Sequence, residues 1–490
     1  MLRRTKIICT MGPATDDVNV VKKMITAGMN VARFNFSHGD HAEHLERMNI
    51  VRQARKELHK PLALLLDTRG PEIRTGVYSC GKIELQDGQD FTLTTRDIEG
   101  DRSIVSINYM GLPADVKPGT EILIDDGLVA FEVKSVEDTE IHCVAKNNGV
   151  LSGRKSVNVP GLKLNMPYLS PKDEADLIFG CEQQVNYVAA SFCRSAQDMK
   201  ELRAVLNAHG GEKIQIIAKI ENMEGVQNIE EILDEVDGIM VARGDLGVEV
   251  PFECLPIIQK ELIKATVHHG KFAVTATQML DSMAKNPRPT RAEVSDVANA
   301  VFDGTSAIML SGETSVGKYP VETVSTMSAI AQNAEGHINY EGRRRNRNEF
   351  MDMELVGDPK TNAIALAVCT TAEALDAKCI VAFTDSGSTA RAISGRRAEK
   401  MIVGATPNEA RYHSMSINWG VQPSLVSKVN SSTELYTQAV RAAVETAGAG
   451  VGDIIIVTAG MPVGHVNYTN TMRVIEITSD MLALAFEENV

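Results

Sequence analysis

The sequence predicts an α/β chain built on a (β/α)8 TIM barrel, with a small antiparallel β-barrel-like domain inserted in it and a C-terminal open-sheet α/β domain behind it. Three observations carry this expectation. Eight short β-rich apolar runs recur between residues 6 and 313, each ending in polar residues. One connection, between Thr68 and Leu169, switches to alternating strands separated by Asp-Gly and Pro-Gly turns. A further set of strand-like runs follows residue 355. Apolar strands alternating with helices imply a parallel sheet covered by helices, and eight of them imply closure.

In order, the runs are KIICTMGP (6–13), VARFNFSHG (31–39), LALLLDTRG (62–70), YVAASF (187–192), IIAKIEN (216–222), GIMVARGD (238–245), FAVTATQM (272–279) and SAIMLSGE (306–313). Between them, VVKKMITAGM has apolar residues at helical spacing and ends at Gly28, a C-cap. NIEEILDEV (228–236) opens with Asn228 as an expected N-cap and carries acids in its first turn. The interrupting segment contains GKIELQDGQDFTLTT (81–95), IVSINY (104–109) and a long run at 121–145, the mark of a small antiparallel domain. Two connections to the barrel make it a hinged lid. The expected boundaries are 1–69 and 169–342 for the barrel, 70–168 for the insert and 355–490 for the last domain.

At 490 residues the chain exceeds a single core. Its 43% hydrophobic and 23% charged composition is that of a globular protein. Only 4% is aromatic, so Val, Ile, Leu, Met and Ala must build the cores. A formal charge of −14 argues against a nucleic-acid surface, which needs clustered positive charge. The eight cysteines are scattered without a C-x-x-C, as reduced thiols would be. No apolar run reaches the roughly 18 residues of a membrane span, and no secretory signal is visible, so the cytoplasm is the expected location. The basic run GRRRNRNEF (342–350) reads as a solvated linker.

A barrel delivers the C-terminal ends of its strands to one face. Strand two would bring Arg33, Asn35, Ser37 and His38 there, and strand three Asp67 and Thr68. Strand five brings Lys219 and Glu221, strand six Arg243, Gly244 and Asp245, strand seven Thr275 and Thr277, and strand eight Ser311 and Glu313. Lys219 and Glu221 stand two apart and so share a face. A structural ion pair is the bland reading of that couple. The sharper one uses Glu221 and Asp245 as hard oxygen ligands for Mg²⁺ (or Mn²⁺), with Lys219 neutralising what the metal holds. Asn35, Ser37, Asp67 and Thr68 form a second oxygen-rich group with one formal charge. It suits a monovalent cation, the alternative being ordinary hydrogen-bonded strand caps. Gly244 lets a ligand approach the backbone.

Six segments, IIAKIENMEGV (216–226), VARFNFSHG, LLDTRGPEIRTG (65–76), VARGDLGVEVP (241–251), ATQMLDSM (276–283) and MLSGETSVGKYP (309–320), resemble the signatures of the pyruvate kinase family. The resemblance implies transfer of the phosphoryl group of phosphoenolpyruvate to ADP, giving ATP and pyruvate in glycolysis. It further implies Mg²⁺ or Mn²⁺ on Glu221 and Asp245, and K⁺ on Asn35, Ser37, Asp67 and Thr68. Arg33 and Lys219 would contact the transferring group, and Gly244, Asp245 and Thr277 the substrate. Asn35, His38, Arg74 and Lys155 (in GRKSVNVPG) would contact the nucleotide. Glu72 matches the position at which Glu accompanies K⁺ dependence in the family, so K⁺ activation is expected. A homotetramer is implied as well.

TDSGST (384–389) follows a strand, and Thr384, Ser386, Gly387, Ser388 and Thr389 could wrap a phosphate. The loop resembles the family's sugar-phosphate effector loop, while a simple strand-to-helix turn is the alternative reading. Asp385 and the departure of GHVNYTNTM (464–472) from the bacterial flap pattern leave fructose 1,6-bisphosphate, AMP and a pentose phosphate as effectors to weigh. Two rival functions remain: a metal-dependent 2-oxo-acid aldolase or lyase, and a non-catalytic metabolite sensor.

Overall fold

The computed structural model describes residues 3–338, 356, 358–463 and 469–487. The basic run at 342–350 and most of the flap at 464–468 lie outside the described residues.

β1 (Lys6–Thr10), α1 (Val18–Ala27), β2 (Val31–Asn35), α2 (His41–Glu57) and β3 (Ala63–Asp67) open the barrel. Gly28 ends α1 at φ 130°, where its amide reaches the Met24 and Ile25 carbonyls. The chain then leaves for the insert. There, β4 (Lys82–Leu85) and β10 (Gly149–Ser152) form a two-stranded sheet. β5 (Asp90–Thr94), β6 (Ile104–Ser106), β7 (Glu121–Ile124), β8 (Val129–Val136), β9 (Glu140–Ala145) and β11 (Val157–Asn158) form a six-stranded one, with the short helix α3 (Leu112–Asp115) beside them. The pairing is antiparallel except between β5 and β6, which run parallel. A long connection separates these two strands in place of a tight hairpin, so the alternation alone misjudged this pair.

After the insert, α4 (Pro171–Glu182) returns the chain to the barrel. β12 (Tyr187–Ala190), β13 (Gln215–Ile220), β14 (Gly238–Ala242), β15 (Phe272–Ala276) and β16 (Ala307–Leu310) complete it. The eight strands close in the order β1-β16-β15-β14-β13-β12-β3-β2. Alternate residues of these strands, among them Val31, Leu65, Ala189, Ile217, Met240, Val274 and Met309, fill the barrel axis. The same parity continued upward puts Arg33, Asp67, Ser191, Lys219 and Glu221 on the inner side of the upper rim.

The last domain is an open sheet of order β19-β18-β17-β20-β21. Its strands are β17 (Cys379–Phe383), β18 (Met401–Thr406), β19 (Val421–Leu425), β20 (Ile454–Ala459) and β21 (Thr471–Glu476), and only β21 is antiparallel. It closes the lower barrel mouth: Ile417 joins the axial core, and Lys6 Nζ donates to the Val421 carbonyl at 2.5 Å. One expected cap fails. Asn228 precedes the helix Ile229–Glu235 without a side-chain capping bond, because its amide donates to the Arg194 carbonyl at 2.9 Å. All eight cysteines are free.

Candidate active site

The upper rim gathers opposite charges in a nearly dry setting. Lys219 is 9% exposed, and Asp67 and Glu221 are buried. Lys219 Nζ lies 3.0 Å from Glu221 Oε1 and 3.1 Å from Asp67 Oδ1, and donates to Ser191 Oγ at 2.6 Å. Arg33 Nε donates to Asp67 Oδ2 at 2.6 Å, and its Nη1 donates to Thr10 Oγ1 at 2.8 Å. Asp67 thus sits between two cations. Burial opposes its charge, but Arg33 and Lys219 hold its carboxyl below the usual range. Burial likewise opposes the Lys219 ammonium, yet Asp67 and Glu221 keep it above its ordinary value.

Glu221 and Asp245 are the expected divalent-cation pair, and they lie close enough for each to shift the other's titration. Burial raises Glu221, with Asp245 pushing the same way against the pull of Lys219. Burial also raises Asp245. A buried carboxylate beside a half-buried one, with the nearest lysine already shared with Asp67, is a donor set of hard oxygens that a small divalent ion fits. Among the described residues no cluster of three or more His, Cys, Asp or Glu could hold a metal, so this pair would need substrate or water oxygens to complete a shell.

Thr277 stands at φ 70°, a strained setting for a β-branched residue, and Gln278 follows at φ 52°. Its hydroxyl accepts the Gly244 amide at 2.8 Å and donates to the Ala276 carbonyl at 2.6 Å. A Cβ on Gly244 would come no closer than 3.6 Å to its nearest neighbour, Thr277. Arg243 is committed to holding this loop. It braces the loop through the Thr277 carbonyl at 2.7 Å and Asp296 at 2.7 Å. Glu313 is similarly spent, accepting the amides of Ser311 at 2.7 Å and Leu280 at 3.2 Å.

The second oxygen group spans two adjacent loops. Asn35 lies opposite Asp67 in the β2–β3 register, and its Oδ1 accepts the Ser37 amide at 3.1 Å. Thr68 Oγ1 accepts the Ser191 amide at 3.2 Å. These are oxygens, mostly neutral, with Asp67 already balanced by Arg33 and Lys219; that chemistry fits a weakly charged cation. Ser191 was missed from the sequence. Its position at the end of YVAASF, after an apolar run whose parity points inward, was the available signal.

Comparison with known proteins gives the family. Residues 2–324 match "Pyruvate kinase, barrel domain" and residues 362–475 match "Pyruvate kinase, alpha/beta domain". The chain belongs to the pyruvate kinase family. It is 48% identical over 477 residues to the pyruvate kinase of Clostridium acetobutylicum, covering 96% of this chain and 99% of that one. It is 47% identical over 485 residues to that of Geobacillus stearothermophilus, covering 99% of this chain and 82% of the relative. A crystal structure of a pyruvate kinase from Cryptosporidium parvum superposes with a TM-score of 0.91 at 37% identity, covering 97% of this chain and 96% of that one.

In this pyruvate kinase-family chain the cleft between insert and barrel takes in Glu72 and Asp245 but not Arg74, Lys155 or His38. A cavity of about 350 Å³ opens between insert and barrel, lined by Glu72, Ser156, Asn158, Asn222, Asp245 and Glu249 among others. Arg74 Nε donates to Glu72 Oε2 at 2.7 Å where the insert begins. Lys155, on the insert, pairs with Asp125 at 2.8 Å, and His38 is exposed on the loop after β2. Asn158 Nδ2 donates to Glu249 Oε1 at 2.9 Å and Lys163 pairs with Glu224 at 2.9 Å, tying insert to barrel. In the last domain, Thr384 Oγ1 accepts the Gly387 amide at 2.9 Å, Ser386 and Ser388 hydroxyls meet at 2.9 Å, and Thr389 meets Thr469 at 2.6 Å. No helix among the described residues is long and apolar enough to cross a membrane.

Proposed function

We propose that this chain transfers the phosphoryl group of phosphoenolpyruvate to ADP. The bond from phosphorus to the enol oxygen breaks, a bond to the β-phosphate oxygen of ADP forms, and the enolate takes a proton to become pyruvate. The convergence of Arg33, Lys219, Glu221 and Asp245 on one rim carries this reading, and the family supports it.

A transferring phosphoryl group spreads negative charge over its oxygens, so catalysis needs positioning and fixed positive charge more than a nucleophile. Arg33 is held by Asp67 and Thr10, and Lys219 by Asp67, Ser191 and Glu221. Both cations are therefore oriented before substrate arrives, with little reorganisation left for the reaction. Glu221 and Asp245 would hold Mg²⁺ or Mn²⁺, which supplies charge for substrate oxygens and for the enolate. The Gly244 backbone and Thr277 would contact substrate. Asn35, His38, Arg74 and Lys155 would contact the nucleotide, with the insert (70–168) acting as a lid that excludes water.

Asn35, Ser37, Asp67 and Thr68 are the proposed K⁺ ligands, and K⁺ activation is proposed from Glu72 at the position where Glu accompanies it in the family. The loop Thr384, Ser386, Gly387, Ser388 and Thr389 is proposed to take a phosphorylated effector. Buried Trp419, 4.9 Å from the Arg397 guanidinium, reports on that domain. A homotetramer is the proposed assembly.

One assay tests the core of this reading: ADP-dependent pyruvate formation, with and without K⁺ and candidate phosphorylated effectors. Lys219→Met should lower turnover by roughly 10²- to 10³-fold while leaving the circular dichroism spectrum unchanged. Substantial residual turnover in that variant counts against the role of Lys219. Pyruvate released without any need for ADP would point to a lyase instead.

A further inference from the structure

The two loops that carry the proposed K⁺ ligands are held from outside by a single helical turn. After β2, the Phe36 carbonyl accepts Lys172 Nζ at 2.8 Å. The amide of that same Phe36–Ser37 peptide donates to Asn35 Oδ1 at 3.1 Å, so the peptide is fixed at both ends. After β3, the Gly70 amide donates to Asp173 Oδ1 at 3.0 Å. Lys172 and Asp173 are neighbours in the first turn of α4.

Lys172 is itself exposed, but both groups that accept from its ammonium belong to buried residues. Lys172 Nζ also donates to Asp176 Oδ2 at 2.6 Å, and Asp176 is buried with its other oxygen 2.7 Å from His41 Nε2. Asp173 is buried as well, and its second oxygen accepts the Ser170 hydroxyl at 2.6 Å and amide at 3.2 Å. The ammonium is pinned between a buried carboxylate and the carbonyl of a buried phenylalanine.

We propose that Lys172, together with Asp173, is a positioning residue for the monovalent cation: α4 sets the spacing between the Asn35–Ser37 loop and the Asp67–Thr68 loop. This rests on the reading of those four residues as K⁺ ligands. A monovalent ion is attracted weakly by mostly neutral oxygens, so its retention depends on two separate loops keeping their oxygens at fixed distances. Partners one shell out that orient metal ligands commonly change affinity by roughly 10- to 100-fold when removed.

The test compares the intact enzyme with Lys172→Met and Lys172→Arg. K⁺ half-saturation is read twice: from activation of the assay, and from the rise in melting midpoint as KCl replaces tetramethylammonium chloride without substrate. Lys172→Met should raise both half-saturation values roughly 10-fold or more, with kcat at saturating K⁺ kept within about threefold. Lys172→Arg, which keeps a donor for the Phe36 carbonyl, should recover part of the loss. Unchanged K⁺ half-saturation in Lys172→Met, whatever its melting midpoint, overturns the proposal. If that variant does not fold, Lys172→Gln is read by the same criterion. An unsubstituted enzyme that ignores K⁺ in both readouts sinks the cation reading itself, before any substitution is made.

Discussion

Ser191 is the junction of the rim. Its hydroxyl accepts from Lys219 Nζ at 2.6 Å and donates to the Thr68 carbonyl at 2.6 Å, with Asp67 Oδ1 3.2 Å away. It therefore links the lysine proposed to meet phosphate with the loop proposed to hold K⁺. Ser191→Ala should remove one hydrogen bond to a charged group, worth about 1.5–3 kcal/mol, and lower kcat/KM for phosphoenolpyruvate by roughly tenfold or more. An unchanged kcat/KM would show that Lys219 is held well enough by its carboxylates alone. The charged members of this constellation were legible because two-residue parity on a strand decides which side chains face inward. Ser191 was not, since a lone serine after an apolar run is chemically quiet until its neighbours are known. Nor was the diversion of Asn228 from its helix to Arg194, because a side chain's choice between two backbone partners is settled by tertiary distance.

The eight barrel strands were legible as elements because each is a buried apolar run closed by polar residues, a pattern that burial on both faces enforces. The parallel β5–β6 pairing was not: period-two alternation reports that a strand is half-buried and says nothing about the direction of its neighbour. How the loops between elements pack was equally hidden. The turn after β3 is an example, where Gly70 adopts φ 72° and its position lies against β12's end. A Cβ there would meet the Ser191 carbonyl at 2.8 Å and the Ser191 Cβ at 2.9 Å. Gly70→Ala must therefore strain the left-handed backbone and push the Thr68 loop away from Ser191, at a cost of about 1–3 kcal/mol. Thermal denaturation should show a lower midpoint, and the assay a loss of activity. Wild-type stability in this variant would mean that the turn can reshape without disturbing its neighbour.

Across the whole molecule, the barrel floor is joined to the C-terminal domain by buried and part-buried polar contacts that carry no assigned chemistry. Tyr187 donates its hydroxyl to the Ser414 carbonyl at 2.5 Å, and Arg391 pairs with Asp237 at 2.9 Å. His413 Nδ1 accepts the Leu62 amide at 3.3 Å, and burial, aided by Arg55, pushes this imidazole down to about 3, so it accepts as the neutral ring. Lys6 is the most exposed to pH of these contacts. Burial, reinforced by Arg3, lowers its ammonium from 10.5 to about 7, while its nitrogen reaches the Val421 carbonyl. Between those two values the unfolded chain keeps a proton on Lys6 that the folded chain has released. The unfolded state then binds more protons, so the contribution of Lys6 to stability rises with pH, by up to about 1.4 kcal/mol per pH unit, and levels off on either side of the window. Melting midpoints of the unsubstituted protein and Lys6→Met, followed from about pH 7 to about pH 9.5, isolate this increment from every other titrating group. The unsubstituted protein should gain on the variant as pH rises; curves that stay parallel would mean that Lys6 keeps its proton at the floor and that the domain junction is held by a charged, not a neutral, amine.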